Sequence, residues 1–509
     1  MIRLLGSKDR RQLTLIDIFK NEDDLYLTHG DLADRLSCTN ATIKCDLKEI
    51  QNLFPDEIQV IQSGIWVHLD FKKMVASNFY FKKYSKEAVT YRLLFELMSN
   101  SYTSVEELSQ KIYASRSSVY RAIKQINHFF EEAHLELELT TSPLSLEGKE
   151  FMVRLFYPFI LMHYLPDTVW PFQSISQQEA FELYDTLSST SPYLKSFSSN
   201  PLVYLQIGVN FERFANHFVL EKSEWPITTH ELSVLMVNLD IFTEFQAKGK
   251  AYPLFELIPQ ITPGIISSGT LLNRTYLEDS LRISPRIKQC IEKFEADMYQ
   301  LKRDYQLKSA QKEDIELISL TIYNLCIAMD KKVNVILNDP ITHQSNLVYE
   351  VACINPNFVI DVQRMIKNFI ESLHIMEEIP DQVLIGFTFY FIVIWPDTIL
   401  ELNKIIKIDL LLYTGNYQYD LEYKAILDPI VHNYVTVHVH NKALNWQEVL
   451  EDSPYKIIMT SFDIPSTPGR YIFNIKSMPD VNTFLWIYET VREINDSDTS
   501  NMSGMLFTQ

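Results

Sequence analysis

Two short sets of side chains carry the chemistry this sequence offers most plainly. Thr39, Asn40, Thr42, Lys44 and Lys48 form the first; Ser115, Arg116, Ser117, Ser118, Tyr120, Arg121 and Lys124 form the second. Arginine offers a two-donor fork that suits guanine, asparagine a donor–acceptor pair that suits adenine, and hydroxyls and lysine suit phosphates. Gathered on one helix face, these types are what the major groove of a duplex requires. The plainer alternative is a helical hairpin with an ordinary solvated face.

A duplication positions them. Residues 32–54 read LADRLSCTNATIKCDLKEIQNLF, and residues 108–130, 76 positions on, read LSQKIYASRSSVYRAIKQINHFF without a gap. Leu32 falls with Leu108, Leu36 with Ile112, Ile43 with Val119, Leu47 with Ile123, Ile50 with Ile126 and Phe54 with Phe130. Thr28 with Asp31, and Ser104 with Glu107, give each copy a helix-starting residue and an acid three positions on. The helical period breaks once per copy, at 37–39 and 113–115, then resumes: helix, tight turn, second helix. With Ile43, Leu47, Val119 and Ile123 turned inward, the polar sets face out. β-prone stretches follow at 58–69 and 135–146, with turns expected at Ser63-Gly64 and 141–143, so each copy should carry a hairpin wing. The second copy is the more basic and should contribute more binding energy.

The 509 residues are enough for several cores, since one core stops growing near roughly 250–300 residues. At 46% hydrophobic and 22% charged the chain should pack as globular domains. No apolar run approaches the roughly 20 residues of a membrane helix, and the first residues lack a signal-peptide pattern. A cytoplasmic protein away from membranes is expected. Cys38, Cys45, Cys290, Cys326 and Cys353 are scattered, indicating neither a disulfide framework nor a zinc site.

Charge is uneven. Residues 1–160 hold 20 Lys and Arg against 22 Asp and Glu, a net of −2, which leaves −17 of the total −19 to the rest. A nearly neutral head on an acidic body fits a DNA binder whose cations gather on one face and whose affinity falls steeply with salt. Lys72, Lys73, Lys82, Lys83, Lys86 and Arg92 collect between the copies, as phosphate contacts or as a solvated linker helix.

From about Pro166 helical patterns take over, among them PLVYLQIGVNFERFANHFV, HELSVLMVNLDIFTEF, SPRIKQCIEKFEADMYQLKRDY and DQVLIGFTFYFIVI. Asn- and Pro-containing breaks separate them, and two bundles near 170–282 and 283–400 would fit. From about Lys404 short strands (KIDLLLYT, YVTVHVH, KIIMTSF, RYIFNI) alternate with helices, implying a small α/β domain with a largely parallel sheet. The last residues read as disordered. His438 and His440 share a strand face, with His432 nearby, which would suit a metal; a polar edge-strand face is the plainer reading. No Walker loop, G-x-G-x-x-G, G-x-S-x-G or H-E-x-x-H pattern is present, so neither an enzyme nor a cofactor is expected.

Taken in order, these parts resemble the Mga/AtxA-type virulence regulators of Gram-positive bacteria. VYRAIKQINHFFEEAHLELELTTSPLSLEGKEFMVRLFY, residues 119–157, is similar to their second helix-turn-helix, wing and exit helix. DTVWPF, residues 167–172, resembles the start of their first regulatory domain. The resemblance implies a multidomain, mainly α chain with winged helix-turn-helix domains at 1–72 and 73–165. Two all-α PTS-regulation domains (PRDs) would follow at 166–282 and 283–402. An α/β domain similar to the phosphotransferase EIIB component would span 403–496, with a flexible tail at 497–509. The activity implied is transcriptional regulation, usually activation, of virulence or surface-protein genes through double-stranded promoter DNA. Assembly would be as a homodimer or higher oligomer through the PRD and EIIB-like parts, with a phosphotransferase carrier protein as a further candidate partner.

PRDs take phosphate on histidine, a neutral nucleophile at cytoplasmic pH. On this chain the aligned positions hold Asn200, Asn238 and Thr388 or Phe389, and the early helix DIELISLTIYNL has no histidine. His217, His230, His343 and His374 lie off register, and of these His217, His230 and His374 are the candidate phosphoacceptors, although a lone histidine in such a place is more often structural. Thr414-Gly415-Asn416 stands where an EIIB carries its phosphocysteine, so that part reads as an assembly module. Two rival readings are a phosphotransfer signalling protein using off-register histidines and an RNA-binding antiterminator. Two recognition helices count against the second, because the deep A-form groove does not admit one. The DNA reading requires residues 39–48 and 115–124 to be reachable by a duplex.

Overall fold

The computed structural model describes residues 1–509 apart from 21–25, 74, 77, 167, 190, 223–243, 248–249, 267–268, 279–282, 329–341, 376–378, 403–406, 433, 476–477 and 507–509. The chain is mainly helical and divides into two units, residues 1–398 and 399–509. Among the described residues no helix is long and apolar enough to cross a membrane.

The first copy of the repeat is built from α1 (Ser7–Lys20), β1 (Leu27–Thr28), α2 (His29–Arg35), α3 (Asn40–Leu53), β2 (Ile58–Ser63) and β3 (Trp66–Phe71). The Thr28 hydroxyl accepts the Asp31 N–H while the Asp31 carboxylate accepts the Thr28 N–H, closing the expected capping box. β2 and β3 pair antiparallel with Ser63 opposite Trp66, and β1 adds to β3. Gly64 turns the wing at φ +64°, a conformation glycine adopts without strain.

The second copy comprises α4 (Phe79–Glu87), α5 (Val89–Leu97), α6 (Val105–Lys111), α7 (Arg116–Glu132), β4 (Leu137–Leu139) and β5 (Leu146–Gly148). Here the box is shifted: Ser104 accepts the Glu107 N–H, but the Glu107 carboxylate reaches back to Thr103. The wing strands have only three residues each, and a bridge between Tyr102 and Leu144 stands in for β1. Ser37 and Tyr113, again 76 apart, are left-handed at φ +50° and +51°, so both inter-helix turns close in the same way. Of the paired apolar positions, Leu32, Ile43, Leu47, Ile50, Leu108, Val119, Ile126 and Phe130 are all 0% exposed; only Leu36 is half-buried. Each such burial contributes about 1.5–3 kcal/mol relative to exposure, which is why their spacing survives in both copies.

The two heads form one block. Leu4 and Leu5 are buried, Thr90 Oγ1 donates to the Leu4 carbonyl at 2.6 Å, and Gln125 Nε2 donates to the Leu5 carbonyl at 2.8 Å. The Tyr84 hydroxyl donates to Gln12 Oε1 at 3.0 Å.

Directly after β5, α8 (Glu150–Tyr164) leads into the helical body, with residues 152–161 all buried. The Glu150 carboxylate is shared by Arg154 and Arg213, which are 0% and 2% exposed. Arg213 Nη1 also donates to the Met98 carbonyl at the end of α5, at 2.9 Å, tying the second head to the body through a buried ion network. α8 packs on α11 (Pro201–Ala215), which in turn meets α9 (Gln177–Ser188); α10 (Pro192–Lys195) lies between α9 and α11 in the chain.

β6 (Glu244–Ala247) and β7 (Lys250–Pro253) form an antiparallel pair. This corrects the helix expected from HELSVLMVNLDIFTEF at its end: Glu244 and Phe245 are extended and pair in register with Pro253 and Tyr252. The remainder of that segment, 230–243, lies outside the described residues. Helices Pro285–Asp304, Lys312–Ala328, Thr342–Ile354, Pro356–Leu373 and Asp381–Ile394 follow and pack on one another.

The second unit holds four parallel strands, β8 (Ile408–Tyr413), β9 (Val435–Val439), β10 (Ile457–Thr460) and β11 (Tyr471–Asn474), in the order β11-β10-β8-β9. Leu410 and Leu412 face one core with Tyr423 and Ile487, while Leu411 faces another with Val449 and Ile458. Both faces of β8 are therefore covered, as a parallel sheet requires. The helix Val481–Leu506 runs on through residues 497–506, where a flexible tail was expected.

Candidate nucleic-acid interface

α3 and α7 turn the expected side chains to solvent. Thr39, Asn40, Lys44 and Lys48 are exposed and Thr42 is half-buried; Ser115, Arg116, Ser117, Tyr120, Arg121 and Lys124 are exposed and Ser118 is half-buried. Neither stretch is packed inside its unit.

The caps account for part of each set. Thr39 accepts the Thr42 N–H and its hydroxyl lies 2.9 Å from that of Thr42. Ser115 accepts the Ser118 N–H and lies 2.9 Å from the hydroxyls of both Ser117 and Ser118. These hydroxyls fix the first turn of each helix, beside its positive end. In the second head the arginines are engaged before any ligand arrives. Arg116 is ion-paired with Glu106 across the turn, and Arg121 donates to the Ser117 carbonyl and to Ser118 Oγ, both at 3.3 Å. Lys44, Lys48 and Lys124 enter no ion pair among the described residues.

The opposite face of α3 is locked onto α1. Arg11 donates twice to Asp46, which is 2% exposed, and Gln12 Nε2 donates to both Asp46 and Glu49. Lys8 pairs with Glu49 at 3.0 Å. The Gln12 hydrogen bond, then the Lys8 contact, holds the Glu49 carboxyl below the usual carboxylate range. Cations near the amino terminus thus orient α3. Among the linker cations, Arg92 donates to the Ile112 and Glu87 carbonyls, an internal role, whereas Lys72, Lys73, Lys83 and Lys86 are exposed and Lys82 is half-buried.

Sequence reasoning passed over four exposed groups on this surface. Ile65 and Trp66 stand at the first wing's tip, 63% and 48% exposed; Tyr113 in the second turn is 91% exposed; Cys45 is exposed on α3. The Ser63-Gly64 turn that marked the wing also marked the first two.

The histidines have other occupations. His217 and His374 are exposed and left-handed at φ +69° and +53°, each just past the end of a helix, and His374 Nδ1 contacts the Glu371 carbonyl. Such positions end helices, the service glycine or asparagine more often performs. His230 and Asn238 lie outside the described residues. Asn200 caps α11 by accepting the Leu202 N–H, and Thr388, 0% exposed, donates to the Leu384 carbonyl. In the loop after β8 the Thr414 hydroxyl and N–H both donate to buried Asp420, and Asn416 caps the helix Tyr417–Val431. His438 Nε2 contacts Asp409 and His440 Nε2 contacts the Tyr455 hydroxyl, so the two ring nitrogens have different partners although both rings pack on Tyr455. Among the described residues no group of three His, Cys, Asp or Glu side chains could hold a metal.

Residues 7–63 match the M protein trans-acting positive regulator (MGA) HTH domain, and residues 74–161 match the Mga helix-turn-helix domain. Over 502 residues the chain is 22% identical to a putative trans-acting regulator of Streptococcus pneumoniae serotype 4, covering 95% of this chain and 97% of that protein. It is 24% identical over 184 residues to the capsule synthesis positive regulator AcpB of Bacillus anthracis, 36% of this chain and 37% of that one. With AcpA of the same organism it shares 22% over 218 residues, 43% of this chain and 44% of that one. Paired winged helix-turn-helix heads on a helical body define a DNA-binding transcriptional regulator. Within that class its two heads match the Mga helix-turn-helix models and the chain is similar to regulators of the Mga type, in line with the resemblance in its sequence.

Proposed function

We propose that this regulator reads promoter DNA through both heads, α3 and α7 each lying in a major groove, and activates virulence or surface-protein genes. The carrying observation is the outward presentation of the polar faces of two helices 76 residues apart, each on a closed winged scaffold. Asn40, Lys44 and Lys48 serve the first contact, and Arg116, Arg121 and Lys124 the second, with Thr39, Thr42, Ser115, Ser117, Ser118 and Tyr120 at the groove edges. The exposed linker lysines reach phosphates between the two contacts. In this reading residues 166–402 are the PRD pair and 403–496 an EIIB-like assembly module, holding two or more copies at a set spacing. The parallel sheet with covered faces supports the second assignment, and the absence of a cysteine in the loop after β8 supports assembly over phosphotransfer there. A competition between duplex DNA and hairpin RNA for the full chain tests the reading. Duplex promoter DNA should win and show two protected major-groove segments per protomer; equal competition by RNA would overturn it.

A further inference from the structure

A cavity of about 130 Å³ lies between the two sets of helices in the first unit. Five aromatic rings line it: Phe159 from α8, Tyr184 from α9, Tyr193 from α10, Phe197, and Tyr390 from the helix Asp381–Ile394. Phe197 packs edge-on against both Tyr193 and Tyr390, so the rings form one wall across the two sets of helices. None of the described lining residues is charged.

The polar atoms sort into spent and unspent. The Tyr184 hydroxyl donates to the Leu194 carbonyl, and Gln206 Nε2 donates to the Arg154 carbonyl and Asn210 Oδ1. By contrast the Tyr193 and Tyr390 hydroxyls and the Asn200 amide nitrogen make no hydrogen bond among the described residues, although all three residues line the space. Burial, and then the neighbouring Tyr390, raises the Tyr193 phenol above its ordinary range, and burial does the same for Tyr390. Both stay neutral donors and acceptors. Tyr193 is buried and Tyr390 and Asn200 are half-buried; polar groups so placed normally have a partner, and an apolar cavity of about 150 Å³ is known to hold benzene. An anion placed here would lose its water with no cation among the described lining residues to replace it.

We propose that this cavity binds a small uncharged molecule with a single aromatic ring and one hydroxyl or amide group, held by the ring wall and by the Tyr193, Tyr390 and Asn200 polar atoms. Because α8 contributes to the wall and follows directly from the second head, the site is placed to receive the input of the regulator. The proposal goes beyond the DNA reading, and its test uses no DNA.

The full chain is titrated with phenol and, separately, with benzoate and toluene, followed by calorimetry and ligand-observed NMR. Phenol should saturate at one site per chain, with benzoate at least tenfold weaker. Ala328→Phe, which puts a ring into the cavity, should weaken phenol at least tenfold. Tyr193→Phe, which keeps the ring and removes one hydroxyl, should weaken phenol about three- to tenfold and leave toluene unchanged. Circular dichroism establishes that each variant is folded, and Tyr193→Phe carries the test should Ala328→Phe not fold. Non-saturating phenol, benzoate binding as tightly as phenol, or phenol binding unchanged in both folded variants would each overturn the proposal.

Discussion

The two heads share a blueprint and use their charge differently. In the first, two basic residues of α1 are consumed in holding α3, Arg11 on Asp46 and Lys8 on Glu49, while Lys44 and Lys48 stand clear. The second has the more basic recognition helix, yet Arg116 rests on Glu106 and Arg121 on its own helix. Net charge in the sequence therefore overstates how ready the second head is. On the proposed reading it would exchange an acid for DNA, whereas the first would meet phosphate directly. A partner that competes for its own ligand-binding cation lowers affinity for any duplex and penalises the wrong one most.

Four changes would break or sharpen this contrast. Arg213→Ala strands the Glu150 carboxylate beside Arg154 and frees the Met98 carbonyl. About 3–5 kcal/mol of stability should be lost in urea unfolding, with hydrogen-exchange protection falling in α5 and α8 but not in α3. Arg116→Ala with Arg121→Ala should reduce specific DNA affinity by about 100-fold, two base-reading forks at 1–3 kcal/mol each, while mass in solution is unchanged. If oligomers are lost too, those arginines hold the structure instead. Lys44→Ala with Lys48→Ala should weaken all duplexes alike, by about tenfold, and lower the salt slope by about two. Glu106→Gln should raise affinity by about two- to fivefold, the scale of a surface ion pair; the first head has Gly30 at the matching position and no such acid to remove.

The repeat was legible because a helix packs only when its apolar residues recur at the helical period, and that constraint prints itself twice. The caps at Thr28, Thr39, Ser104 and Ser115 were legible for a similar reason: each needs a small side chain at one place. What was hidden depends on pairs brought together only by folding. Glu106 and Arg116 meet across a turn, Arg213 and Met98 are 115 positions apart, and nothing local announces either. Phe245 in β6 lies in a stretch whose apolar residues keep a three- and four-residue spacing; its backbone instead pairs with β7, which that spacing does not announce. The off-register histidines looked like chemistry and two of them turn out to finish helices. Ile65 and Trp66 were visible as residues, but their exposure follows from the length of a wing that composition alone does not fix.

The pinning of residues 1–5 onto α5 and α7 has a consequence for the DNA. If both helices read one duplex, as proposed, heads joined this closely leave no slack between them, so an operator that satisfies both must keep a spacer of one length. Inserting a single base pair there would turn one half of the message by about 34° around the duplex axis, and the protein would have to let go of it.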